Sequence, residues 1–319
     1  MEAFVTEQEV AWLERRVGRL HARQRLGIEH YREKRIFGQG LNFFHLENWY
    51  SIHSLIRNSL RLAGLHGRGR RNARQIQVRH NRVAIPRLPA SFDGFTILHL
   101  SDLHLDMSDD LPRVLAERVV DLEYDLCLIT GDFRARTFGP WQPAVEGVRL
   151  LRRALSGRVL AVLGNHDTLR MTRPLEELGI RLLFNEWHAE ERGEERIHVV
   201  GVDDPHFYRA HNLEKAFAGV PADGVAILLA HSPEIYRHAA YAGADLMLAG
   251  HTHGGQICLP GGIPLLCNAR TPRALCAGAW RFETMQGYTS SGSGVCIVDV
   301  RLNCPPEVTL HTLHCAPPP

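Results

Sequence analysis

One local pattern recurs five times along this chain: a short apolar run rich in Val, Ile and Leu, then polar residues of metal-binding type. The runs are residues 95–100, 126–129, 159–163, 225–230 and 246–249. After them come Asp102-x-His104, Gly131-Asp132, Gly164-Asn165-His166-Asp167, His231, and Gly250-His251-Thr252-His253. Runs of this length and composition predict buried strands. Between them, Leu111, Leu115, Val119 and Leu122, and then Val145, Val148, Leu151 and Leu155, recur at helical spacing. Strand alternating with helix predicts a largely parallel, layered α/β sheet. Ligands of such sheets bind beyond the carboxyl ends of the strands, where all five clusters fall.

Any one cluster is ordinary turn chemistry, since Gly-Asp, Gly-Asn and Asp-x-His after a strand are common. All five in one chain spell out a binuclear metal site. A carboxylate shared between two divalent ions holds them about 3.5–4 Å apart, so that one bridging water becomes a hydroxide nucleophile near neutral pH. Asp132 is the candidate bridge. Imidazole, carboxylate and amide oxygen together suit manganese, iron or zinc better than magnesium or calcium, and no cysteine lies in a cluster to select zinc. Two such ions outweigh Asp102 and Asp132 by a surplus of about two charges, which favours a phosphate oxygen. His166 stands apart from the ligands, as a protonated imidazole that stabilises the non-bridging oxygens or protonates the leaving group. Asp167 would orient His166 and raise its pKa.

The clusters resemble those of the calcineurin-like metallophosphoesterases, and within them a bacterial branch of membrane-associated phosphodiesterases that includes a UDP-2,3-diacylglucosamine pyrophosphatase. The branch-level likeness rests on Leu100-Ser101-Asp102-Leu103-His104, Ala230-His231-Ser232-Pro233, Ala249-Gly250-His251-Thr252-His253-Gly254-Gly255-Gln256 and Pro306-Glu307-Val308-Thr309-Leu310. It covers roughly residues 75–313. The resemblance implies an α/β sandwich of two central mixed β-sheets flanked by helices. It implies one ion on Asp102, His104, Asp132 and His253 and another on Asp132, Asn165, His231 and His251, with manganese ahead of iron or zinc. Cytosolic pyrophosphatases of the superfamily commonly carry Arg at the His166 position, so His166 favours the membrane-associated branch. UDP-2,3-diacylglucosamine cleaved to UMP and a lipid-linked sugar phosphate is the expected reaction. A phosphodiesterase acting on a phospholipid or other diester is the first alternative; a nuclease and a non-catalytic module follow, and no nucleic-acid partner is expected.

Two loops carry weaker expectations. Arg134 and Arg136, just after Asp132, could clamp a phosphate by bidentate hydrogen bonds, or be solvated loop arginines. Asp204, in Asp203-Asp204-Pro205-His206, could line the substrate mouth, or simply build a β-turn.

With 319 residues, 45% of them hydrophobic, the chain can bury one large core with an appendage. Seven cysteines without paired spacing argue for free thiols and a reducing compartment. No apolar run approaches the roughly twenty residues that span a bilayer, and no signal peptide is recognisable, so the expected location is cytoplasmic, with peripheral contact at the inner face of the membrane. Charge divides the chain: residues 1–92 hold 17 Lys or Arg against 7 Asp or Glu, leaving 20 against 28 in the remainder. Residues 1–74 are therefore read as a basic helical extension and linker, and 75–319 as the catalytic domain. Thr6-x-x-Glu9 predicts a capping box ahead of Val10, Leu13, Val17 and Leu20. Residues 48–63 predict a second helix with Trp49, Ile52, Leu55, Ile56 and Leu60 on one side and Gly64 as its stop. Gly67-Arg68-Gly69-Arg70-Arg71 reads as a flexible basic linker. The extension would pack on its own domain or a second subunit, or lie on an anionic membrane, or, least favoured, track a nucleic-acid backbone.

Overall fold

Short Val/Ile/Leu strands that are buried on both faces need cover from two sides, and two six-stranded sheets packed face to face provide it here. A computed structural model describes residues 6–37 and 50–316 of the chain. The first sheet uses β1 (Gln77–Ile85), β2 (Thr96–Leu100), β3 (Leu126–Ile129), β4 (Val159–Ala161), β5 (Ile180–Leu182) and, from the far end of the chain, Glu307–Cys315. The second uses β6 (Glu186–Arg192), β7 (Glu195–Gly201), β8 (Ala226–Leu229), β9 (Leu246–Ala249), Gly278–Phe282 and Met285–Thr289. With β10 (Cys258–Leu259) and β11 (Ile263–Pro264) forming a small hairpin, the last three are β12, β13 and β14 in chain order.

The sheet orders are β1-β14-β2-β3-β4-β5 and β12-β13-β9-β8-β7-β6. Each is mixed: β2 to β5 run parallel and β14 lies antiparallel to β2, while β7, β8, β9 and β13 run parallel between antiparallel β6 and β12. Ile97, Leu128, Leu160 and Val162 of one sheet meet Val199, Ile227, Leu229 and Leu248 of the other in a single apolar layer. On the outer face of the first sheet lie α5 (Leu111–Val119), α6 (Gln142–Arg152) and α7 (Thr172–Glu177), and α8 (Leu213–Phe217) and α9 (Tyr236–Tyr241) pack outside the second. All five expected strands are present, and residues that follow strands of both sheets, Asp132 after β3, His231 after β8 and His251 after β9, come together.

The N-terminal segment joins this body. α1 (Glu7–Val17) starts at the expected capping box, with Thr6 Oγ1 accepting from Glu9 N at 3.2 Å and Glu9 Oε2 accepting from Thr6 N at 2.9 Å. Gly18, at φ 92, ends it, so Leu20 belongs instead to α2 (Arg19–Phe37) and is 81% exposed. Leu13, Val17 and Ala22 are buried in the same apolar cluster as Leu98, Val148 and Leu175. α1 and α2 thus pack on their own domain. Trp49 of the second expected helix lies outside the described residues, and α3 spans Tyr50–Leu62. The expected linker is a helix, α4 (His66–Asn72). Gly69 explains the difference: its missing side chain lets the helix sit against Val300, where a Cβ would come within 2.8 Å of the Val300 Cβ. Arg74 then binds the segment to Asp110 and Asp299. No helix among the described residues is long and apolar enough to cross a membrane.

Candidate metal centre

Five of the seven expected ligands sit where the chain leaves a strand in a left-handed turn: Asp102, His104, Asp132, His251 and His253 have φ between 43° and 70°. Non-glycine residues seldom adopt this conformation, and it collects at functional sites. The turns are crowded. A Cβ at Gly250 would overlap Ser101 Oγ and the Asp102 carboxylate, and one at Gly164 would overlap the Asp132 carboxylate, so glycine lets the strand ends approach.

The side chains converge on Asp132. Its Oδ2 lies 3.2 Å from His231 Nε2 and 3.8 Å from Nε2 of both His104 and His166. On one side His253 Nε2 is 3.1 Å from His104 Nε2 and 3.3 Å from Asp102 Oδ1. On the other, His231 Nε2 is 2.8 Å from Asn165 Oδ1, and the His231 and His251 rings are 5.1 Å apart. Asp102-His104-Asp132 and Asp132-His231-His251 each bring three donor atoms within 4.8 Å of one another. Asp132 is common to both groups. Backbone carbonyls fix two rings: His104 Nδ1 bonds Arg134 O at 2.7 Å and His231 Nδ1 bonds Thr130 O at 2.7 Å, leaving each Nε2 facing inward. This is the carbonyl support typical of metal-ligating histidines.

These residues fit divalent ions on physical grounds. All of them are at most 7% exposed, so their charges must be balanced internally. Burial pushes both carboxyls upward; at Asp132 the surrounding imidazoles, His231 first, outweigh it and hold the carboxyl well below its ordinary range, while Asp102, which also feels Asp132, stays above its own. Against burial, Asp132 lifts His231 to about 10. The site thus calls for positive charge at its centre. His251 Nε2, buried and without a hydrogen-bond partner, is a donor atom waiting for one.

A family model for calcineurin-like phosphoesterases matches residues 95–255. The chain belongs to the calcineurin-like phosphoesterase family. It is therefore a metal-dependent phosphoesterase, of a family that implies a centre of two metals. The phosphoesterase is 31% identical over 256 residues to the uncharacterized metallophosphoesterase YkoQ of Bacillus subtilis, covering 76% of this chain and 92% of YkoQ. It is 30% identical over 235 residues to the phosphodiesterase YaeI of Escherichia coli (68% and 81%). To the UDP-2,3-diacylglucosamine pyrophosphatase LpxG of Chlamydia trachomatis it is 24% identical over 292 residues (71% and 85%).

The structure reassigns several residues of this phosphoesterase. Asp167 does not orient His166. Its carboxylate accepts from the backbone N–H groups of Asp132 (2.8 Å), Phe133 (2.9 Å) and Gly164 (2.8 Å), tying the β3 and β4 turns together. Thr137, which the motifs did not indicate, meets the ring instead, with Oγ1 3.1 Å from His166 Nδ1. Burial pushes the His166 imidazole down to about 3, so the ring is neutral rather than protonated in this setting. Arg134 is buried and spends its guanidinium on the carbonyls of Thr137, Gly139 and His166, which excludes the phosphate clamp. Arg136 is exposed on the same loop. Asp204 builds a turn, accepting from the N–H groups of His206 (3.0 Å), Phe207 (2.7 Å) and Tyr208 (2.6 Å). The same turn presents His206, whose ring lies 4.1 Å from that of His251.

Two further residues near the site carried no motif. Arg25 of α2 is fully buried, in ion-pair contact with Asp203 at 3.2 Å and donating to Asp167 O at 3.1 Å. Cys296 comes within 3.9 Å of His166 Nε2. An Arg within a polar helix and a Cys between Gly-rich and apolar residues leave no trace of these contacts in the sequence.

Beside the centre lies a cavity of about 460 Å³. Its lining includes Asp132, His166, His251 and His253 of the centre together with the apolar Leu55, Ile56 and Leu60 of α3 and Leu265, Leu266, Ile297 and Val298.

Proposed function

We propose that the protein hydrolyses the phosphodiester or diphosphate bond of an amphiphile, with UDP-2,3-diacylglucosamine cleaved to UMP and a lipid-linked sugar phosphate as the specific reaction. One observation carries this reading: the apolar cavity shares its lining with the candidate metal centre. A wholly polar substrate would leave the α3 wall unused. An acyl chain placed there gains about 0.8 kcal/mol per buried CH₂. The likeness to LpxG supports the particular substrate, and the name of YaeI supports phosphodiester cleavage more broadly.

In this reading Asp102, His104, Asp132 and His253 would hold one ion and Asp132, Asn165, His231 and His251 the other, and such ions would supply charge neutralisation for the phosphate and a water activated near neutral pH. Both sets, nitrogen and oxygen only, suit manganese ahead of iron or zinc. Asp132 holds both halves of the centre together. Thr137 Oγ1 holds the ring through Nδ1 and turns Nε2 toward Asp132; in the tautomer protonated at Nε2, His166 hydrogen-bonds a phosphate oxygen or the leaving group from there. Asp167 and Arg134 keep the two turns in place without touching substrate.

The exposed apolar residues Leu55 (65%), Leu62 (91%), Leu265 (58%) and Leu266 (60%) on and near the cavity wall favour substrate drawn from a lipid surface by peripheral contact. A nuclease would line its groove with cations instead.

The test is phosphorus NMR after incubation of the manganese-loaded protein with detergent-dispersed UDP-2,3-diacylglucosamine, metal removed before acquisition. UMP and a sugar 1-phosphate should appear with wild type and not with Asp132→Asn. An unchanged diphosphate signal from protein that still cleaves a model diester would refute the substrate and move it to phospholipids or other diesters.

A further inference from the structure

Cys296 belongs to none of the five sequence clusters, yet its sulfur is part of the metal centre's wall. With His104 and His253 it forms a third buried donor group, all ligand atoms within 4.8 Å of one another. Two of those three residues belong to the set proposed to hold the ion beside Asp102. The position is built. Gln256, at the end of the segment that carries His251 and His253, accepts the N–H of Cys296 at 2.8 Å and donates to the carbonyls of Cys296 (2.7 Å) and Val298 (3.0 Å). Both Gln256 and Ile297 are in left-handed conformations, φ 54 and φ 64. For a β-branched residue this is a genuine outlier, kept only where surrounding structure imposes it. The turn leaves Ile297 and Val298 in the apolar wall and Cys296 beside the histidines.

We propose that Cys296 is a thiolate ligand of the ion on the Asp102 side, which makes that ion thiophilic, zinc or iron(II), and the two halves of the centre unequal. The inference rests on the binuclear reading above. Metal–sulfur bonds of about 2.3 Å and metal–nitrogen bonds of about 2.0–2.1 Å put neighbouring donors of one ion, five with Cys296 added, roughly 3.0–3.6 Å apart. A sulfur movement of about one to two ångströms therefore closes the present spread, in which the donor atoms lie within 4.8 Å of one another. Binding releases the thiol proton to solvent, and the thiolate adds a negative charge beside Asp102 and Asp132. Sulfur at one half and only nitrogen and oxygen at the other would sort two different metals by softness.

The experiment is cobalt(II) loading of the full-length protein, read by absorption spectroscopy together with metal content. Wild type should show a sulfur-to-cobalt charge-transfer band in the near ultraviolet. Cys296→Ser should lose the band while retaining cobalt, and Cys304→Ser, whose thiol bonds the His253 carbonyl at 3.3 Å, should keep it. In competition, Cys296→Ser should also reduce the preference for zinc over manganese by about tenfold or more, the lower bound for weaker outer partners. A cobalt-loaded wild type without the band, or a band that survives in Cys296→Ser, overturns the assignment. Cobalt content judges the parent reading separately: fewer than two ions per chain counts against a binuclear centre, whereas two ions without the band remove only the thiolate.

Discussion

Replacing Arg25 by methionine should show that the N-terminal helices are part of the catalytic body rather than an appendage. Arg25 and Asp203 are both 0% exposed. Against the upward push of burial, Arg25 and then His21 hold the Asp203 carboxyl below its ordinary range. The guanidinium also bonds Glu29, lies over the Tyr208 ring at 3.1 Å and donates to the carbonyl of Asp167. Methionine fills much of the volume but leaves the Asp203 carboxylate without a guanidinium, with the His21 imidazole 2.9 Å away. Removing one partner of a buried pair costs about 3–5 kcal/mol, and we expect a loss in this range from urea unfolding of the metal-free protein. The double variant Arg25→Met/Asp203→Asn should recover part of it, with a coupling energy of about 1–3 kcal/mol. A loss below about 1 kcal/mol, or coupling below about 0.5 kcal/mol, would refute the argument that this pair fastens α2 to the site.

Three other perturbations separate the roles of single residues. Asp132→Asn removes half the carboxylate charge and the residue common to both donor groups, so turnover on any phosphoester should vanish; activity within about tenfold of wild type, less than the usual effect of a lost ligand, would refute a shared carboxylate. His166→Ala should slow hydrolysis by about 10²–10⁴-fold with metal content unchanged by elemental analysis, and loss of metal would make His166 a ligand. The third concerns pH. Burial lowers the His99 pKa to about 3 and also depresses its neighbour His311, so the folded protein keeps both neutral where the unfolded chain, near 6.5, takes up protons. Their stabilisation is complete above about pH 6.5 and falls by up to about 1.4 kcal/mol per pH unit per histidine as pH drops towards 3. His99→Gln should lower the slope of unfolding free energy between pH 6.5 and 5 by about one proton, and an unchanged slope would contradict the assignment.

The parallel strands and their terminal clusters were legible in the chain because each is a local signal. An apolar run of four or five residues is a buried strand wherever it sits, and Gly followed by Asp, Asn or His is the turn that ends it. The capping box at Thr6 and Glu9 was legible for the same reason. Local signals do not say what a side chain meets across space. Asp167 follows His166 directly, and adjacency suggested a pair, but the β4 turn points the carboxylate at the backbone of the β3 turn and leaves Thr137 to the imidazole. Arg134 looked like an anion ligand from its place after Asp132, whereas burial forced its guanidinium onto nearby carbonyls. The Gly-Arg-rich stretch at 67–71 read as a linker because helix propensity disfavours glycine, and packing of Gly69 against Val300 overrode it.

The sequence by itself therefore determined the reaction class, since metal-ligand chemistry is carried by residue types at the ends of recognisable strands. Tertiary structure alone decided that Arg25 reaches Asp167 across 142 positions of chain, that α3 walls the cavity beside the centre, and that Cys296 stands 130 positions from the imidazole it faces. Those contacts depend on how two sheets and an N-terminal helix are brought together, and no spacing within the chain encodes that distance.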